Sequence, residues 1–119
     1  MIAIKNDREL GFMRQACKIT AAARALAGEM VRPGVTTKAI DRAVKEFILT
    51  QGAKPSFLGY HGFPGSTCIS VNGTVIHGIP GSYVLQDGTY CGDNYGHPKE
   101  SPFSHHESTV DNCLQMVKL

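Results

Sequence analysis

Several features that would assign a function at sight are missing from these 119 residues. Cys17, Cys68, Cys91 and Cys113 form no C-x-x-C pair, and Cys17 and Cys68 fall inside helix and strand patterns. Neither a disulfide framework nor a paired-thiol metal site is indicated, and the cysteines read as reduced thiols. No apolar run approaches the ~18 residues that a membrane span needs. The N-terminus lacks the charged-then-apolar layout of a secretory signal, so a cytoplasmic protein is expected. Charge is also scarce: the formal net charge is +2 and the basic residues are scattered. A chain without a basic block has no electrostatic case for nucleic acid or for a membrane surface. The length allows at most one domain of modest core.

What is present begins with two helical patterns. Residues 7–31 read as a first helix, opened by a capping box of Asn6 with Glu9. Apolar residues at Leu10, Met13, Cys17, Leu26 and Met30 supply its expected face, and the alanine-rich middle favours helix by propensity. Pro33-Gly34 ends it. A second helix is expected after Thr36 or Thr37 as N-cap, running to Gln51-Gly52 with Ile40, Val44, Phe47 and Ile48 on one face. Both helices read as scaffold, with the chemistry expected after residue 52.

The rest of the chain is organised around residues 55–81. Residues 66–71 and 74–79 are mostly β-branched or apolar, with only Asn72-Gly73 between them. An Asn-Gly pair in that position is a strong signal for a hairpin with a type I′ turn, which needs φ > 0 at both central residues. The pairing would set Val71 against Thr74, Ser70 against Val75, Ile69 against Ile76 and Cys68 against His77. Cys68, Ser70, Val75 and His77 would then share one face of the hairpin. The preceding loop holds Phe57, Tyr60, His61 and Phe63 among glycines and prolines. Such aromatics either pack back on the core or line an apolar pocket, and polarizable, aromatic surroundings suit a thioether. A histidine on a strand is commonly a satisfied structural residue. His77, however, opens a Gly-Ile-Pro turn where a strand end can present its side chain to a cleft. Cys68 beside it could form a thiol nucleophile with its base, or the two could be neighbours simply because the hairpin makes them so.

The stretch PSFLGYHGFPGSTCISVNGTVIHGIPG resembles the substrate-pocket segment of type I methionine aminopeptidases. The residues that carry the resemblance are Pro55, Gly59-Tyr60, Gly62-Phe63-Pro64, Cys68-Ile69-Ser70, Asn72, Val75 and His77-Gly78-Ile79-Pro80. It covers roughly residues 1–88. The implied fold class is α/β (α+β): the first portion of the pita-bread aminopeptidase fold, two helices against an antiparallel sheet. The implied function is metal-dependent removal of N-terminal methionine from nascent proteins, with a Met peptide or nascent chain, and the ribosome, as partners. Phe57, Tyr60, Phe63 and Cys68 match positions that line the methionine side-chain pocket, and His61 matches one at its mouth. His77 matches the histidine that hydrogen-bonds the scissile amide and stabilises the transition state without binding metal, a role that a neutral imidazole suits.

After Gly88 the pattern breaks. The family continues with a strand bearing metal-binding aspartates, and its carboxylates and a histidine hold two divalent ions of the cobalt, manganese, iron or zinc class. Counted from Gly88, the first ligand position here is Asn94 and the second His105, and the chain ends before the rest. Asp93 lies one position off and would face the other way on a strand. Residues 1–88 are therefore expected as a partial aminopeptidase-like domain and 89–119 as a divergent, irregular tail rich in Gly, Pro, Ser, His and Asn. His97, His105, His106, Glu107 and Cys113 fit no tetrahedral metal signature. The codons for Tyr90 to Asn94, shifted by one base, can spell Ile-Val-Glu-Ile but do not restore the Asp that should follow, so a frame slip near Gly88, an alternative transcript or an assembly error would each account for the break. No metal is expected on this chain, and no peptidase activity. The alternatives are a non-catalytic fragment that binds N-terminal Met peptides or an intact family member, and a poorly folding product with no function.

Overall fold

A computed structural model describes residues 2–74, 76–89 and 117–118. Helix α1 spans Asp7–Met30 and α2 spans Thr37–Thr50. Asn6 caps α1 as its sequence indicates: its side chain accepts from Glu9 N at 2.9 Å, and its own N–H donates to Glu9 Oε2 at 2.9 Å. Asp7 and Glu9 in the first turn also oppose the positive end of the helix dipole. Thr36 caps α2 by accepting from Ala39 N at 3.1 Å. At the other end Gly52 takes φ 73°, the left-handed geometry that lets Ala53 N return to Ile48 O at 3.2 Å.

The two helices bury different kinds of face. On α2, Ile40, Val44 and Ile48 repeat at four-residue intervals and are almost wholly buried, with Phe47 partly covered at the edge. The face of α1 differs from the one its larger apolar residues suggest. Its buried residues are Ile19, Thr20, Ala23 and Ala27, whereas Met13 and Cys17 are exposed and Leu10, Leu26 and Met30 are half-buried. Small side chains win here because alanines allow the helices to approach closely, and burial starts only at Ile19. Ala53, Ile69 and Leu85 close the core from the far side.

Beyond α2 little of the structure is regular. The two-residue strand β1 (Lys54–Pro55) pairs antiparallel with β2 (Val117–Lys118), which lies within the stretch expected to be irregular. Residues 81–85 run antiparallel to 34–38. Gly34 N donates to Leu85 O, Leu85 N to Val35 O, Thr37 N to Tyr83 O and Lys38 N to Gly81 O, at 2.8–3.1 Å. Thr36 and Val84 form a bridge within that pairing. Of the expected antiparallel sheet, these pairings are what the described residues contain.

The expected hairpin forms its turn but not its ladder. Thr74 N donates to Val71 O at 3.1 Å, so Asn72-Gly73 is the corner. Only Asn72 takes a positive φ, 51°, so the turn is not type I′. Ile69 N then donates to Gly78 O at 2.9 Å, which places Ile69 opposite Gly78 and not opposite Ile76. The slip is absorbed at His77, whose φ of 54° is left-handed and cannot continue a strand. Val75, the expected partner of Ser70, lies outside the described residues, as do Cys91, Asp93, Asn94, His97, His105, His106, Glu107 and Cys113.

Candidate functional site

The loop between β1 and the turn is shaped by backbone geometry that few side chains tolerate. Gly59 and Gly62 both have φ 79°, and His61 between them has φ 46°. Tyr60 N donates to Phe57 O and Gly59 N to Phe63 O, each at 2.9 Å, closing the loop on itself around the single 3₁₀ turn Tyr60–Gly62. Phe57 and Phe63 consequently meet edge to face with centroids 6.5 Å apart, an attractive arrangement for aromatic rings. Both are half-buried. Tyr60 and His61 form a second edge-to-face pair at 4.3 Å and stand out in solvent.

Cys68 and His77 make a third pair despite the altered register. Cys68 Sγ lies 3.9 Å from His77 Nδ1. That is within the longer reach of a hydrogen bond involving sulfur, and beyond the about 2.6–3.2 Å at which a nucleophile is held by its base. The two residues meet because the chain segments bearing them are tied just beyond each: Ile69 N donates to Gly78 O at 2.9 Å, and Gly78 N to Ser70 Oγ at 3.2 Å. Gly78 permits this closeness. A Cβ there would lie 2.7 Å from the Ile69 carbonyl carbon and 2.8 Å from Ser70 Cα, both unyielding backbone atoms. His61 and His77 share left-handed backbone; such non-glycine geometry costs energy and tends to be retained at functional sites.

Two residues on α2 anchor this assembly, and the periodicity of the helix gave no hint of them. Asp41 Oδ1 accepts from Ser66 N at 2.8 Å, Thr67 N at 2.7 Å and Thr67 Oγ1 at 2.7 Å. Thr37 Oγ1 donates to Gly81 O at 3.1 Å and accepts from Gly81 N at 2.9 Å. Together they hold both ends of residues 66–81 against α2. The available signal was slight: an acidic residue directly beside the apolar stripe of an amphipathic helix.

Comparison with known proteins identifies the family. Residues 11–95 match the model of metallopeptidase family M24. The chain belongs to that family. It is 56% identical over 88 residues to a methionine aminopeptidase of Clostridium perfringens, an alignment that covers 74% of this chain and 35% of the relative. Against methionine aminopeptidase 1 of Bacillus subtilis the identity is 51% over 88 residues, covering 74% and 36%. Among solved structures, a methionine aminopeptidase from Thermotoga maritima superposes with a TM-score of 0.73 at 35% identity, covering 76% of this chain and 37% of that one. One from Rickettsia prowazekii gives 0.71 at 37% identity, covering 75% and 36%. The M24 chain described here thus spans about a third of the length of these relatives.

A metallopeptidase family implies divalent metal. Among the described residues no three His, Cys, Asp or Glu side chains are grouped so as to hold an ion. Asn94, at the first expected ligand position, is a neutral amide, a weak substitute for a bridging carboxylate. No set of the described residues fits a pair of divalent ions.

Proposed function

We propose that this M24 chain acts on N-terminal methionine, residues 55–80 receiving the thioether side chain and His77 facing the amide that follows it. The observation that carries this is the pairing of Cys68 with His77 at 3.9 Å within the family-matched stretch, with the Phe57–Phe63 pair on the same segment. Phe57, Tyr60, Phe63 and Cys68 supply the aromatic and sulfur contacts that a thioether favours. His61, beside Tyr60, stands at the mouth. His77 donates a hydrogen bond to the carbonyl of the bound peptide's first amide. The substrate is an N-terminal Met peptide or a nascent chain at the ribosome, in the cytoplasm.

Metal in this family activates the water that attacks the peptide carbonyl. With Asn94 where a carboxylate is needed, the 119-residue chain recognises methionine termini without cleaving them. Calorimetry with short peptides, alongside a peptidase assay with added cobalt, manganese, iron or zinc, tests both halves. The expected result is binding of a Met-initiated peptide in preference to a Gly-initiated one, and no turnover above blank. Equal affinity for both peptides would overturn the recognition role, and chelator-sensitive turnover would overturn the absence of cleavage.

A further inference from the structure

One carboxylate gathers the start of the segment that bears Cys68. Asp41 Oδ1 takes the N–H groups of two successive residues, Ser66 and Thr67, and the Thr67 hydroxyl as well, all within 2.8 Å. Hydrogen bonds to an ionised carboxylate are shorter and roughly twice as strong as neutral ones, and convergence of adjacent N–H groups fixes direction as well as distance. The next residue along the chain is Cys68. Its own neighbours Ile69 and Ser70 are then tied to Gly78, the residue after His77. Ser66 does not set the position through its side chain, because its wholly buried hydroxyl has no hydrogen-bond partner among the described residues. The backbone of 66–67 is held by Asp41, on a helix whose adjacent Ile40 is locked in the core.

We propose that Asp41 is a positioning residue: through Ser66 and Thr67 it sets Cys68 against His77, and so sets the shape of the proposed methionine-binding wall. The assignment rests on that proposed role for its functional meaning, but its geometry can be tested without any substrate. A residue of purely structural importance would lower the melting temperature and leave the Cys68–His77 contact intact in the folded molecules. A positioning residue governs the contact itself.

Two readouts on the full chain separate these. The first is the alkylation rate of Cys68 by iodoacetamide, read by peptide mass mapping against exposed Cys17 in the same molecule. The second is the ring resonance of His77 in ¹⁵N-histidine-labelled protein, identified with His77→Gln, and its response to Cys68→Ser. In Asp41→Ala, Cys68 should react about tenfold faster relative to Cys17, because losing even one bond to a charged group shifts a local opening by about that factor. The His77 signal should cease to respond to Cys68→Ser. Asp41→Asn keeps a carbonyl acceptor and should fall between parent and Asp41→Ala in both readouts. Unchanged rate ratio and unchanged response in Asp41→Asn and Asp41→Ala would overturn the proposal, whatever happens to the melting temperature. If Asp41→Ala does not fold, Asp41→Asn decides alone, by the same criteria. Failure of the parent chain to bind a Met-initiated peptide would overturn the recognition role and leave both of these readouts to stand or fall on their own.

Discussion

In α2 the apolar residues recur every three or four positions, and burying Ile40, Val44 and Ile48 is enough to hold the helix. Between residues 66 and 80 no repeat governs the chain. There the backbone is held by a carboxylate and a threonine hydroxyl reaching from α2, by a serine hydroxyl, and by the contact that Gly78 allows. The helix is stabilised by a diffuse property spread over many methyl groups; the loop segment depends on a few directional bonds. Loss of one methyl group weakens a helix by degrees, whereas loss of one bond in the segment can move every side chain it carries. A recognition surface built on the segment therefore inherits its precision from α2, although α2 contributes none of the proposed contacts to substrate.

The largest effect on stability should come from the helix. Ile48→Ala removes a wholly buried side chain from the centre of the core and should cost about 2–5 kcal/mol in urea unfolding. Because α2 carries the anchors, the Cys68–His77 contact should disappear together with the fold. Selective loss of the contact while the helices persist would show that the core and the segment are not one cooperative unit. Gly78→Ala should act in the reverse sense. The added methyl meets the Ile69 and Ser70 backbone, which cannot move aside as a side chain would, at a cost of about 1–3 kcal/mol. Helical circular dichroism at low temperature should survive while Cys68 becomes more reactive relative to Cys17. An unaltered Cys68 rate would mean that residues 69–70 and 78 are not pressed together in solution.

The same division decides what could be read in advance. Both helices, their N-caps and the buried stripe of α2 follow from local spacing, and they form where Asn6, Thr36 and the Ile40–Val44–Ile48 repeat put them. The buried face of α1 differs from the one its large apolar side chains signal, because Ala23 and Ala27 are the residues buried there. In the segment, the Asn72-Gly73 corner was legible and the register was not. Turn chemistry is local, but the shift to Ile69 opposite Gly78 depends on the left-handed backbone of His77. Asp41 and Thr37 stayed hidden for a similar reason: their partners lie 25 or more residues away, and no periodicity encodes such a bond. The proximity of Cys68 to His77 was expected on grounds of strand pairing and arises by a different path.

The most discriminating comparison concerns two adjacent buried residues whose substitution should change stability in opposite directions. Ser66 and Thr67 are exposed by 0% and 3% respectively. Thr67 Oγ1 donates to Asp41 at 2.7 Å, whereas Ser66 Oγ is buried without a partner among the described residues. A buried hydroxyl that makes no hydrogen bond has lost its water and received nothing in return, so removing it relieves a cost. Ser66→Ala should therefore raise stability, by about 1 kcal/mol. Thr67→Val keeps the shape but deletes a bond to a charged acceptor, and should lower stability by about 1.5–3 kcal/mol. Both substitutions leave the backbone N–H groups on Asp41, so the Cys68 alkylation ratio should change little in either. Thermal unfolding of the two variants beside the parent reads the sign directly. If Ser66→Ala destabilises as much as Thr67→Val, the Ser66 hydroxyl has a partner in solution, and the hold on residues 66–67 is shared between Asp41 and that partner.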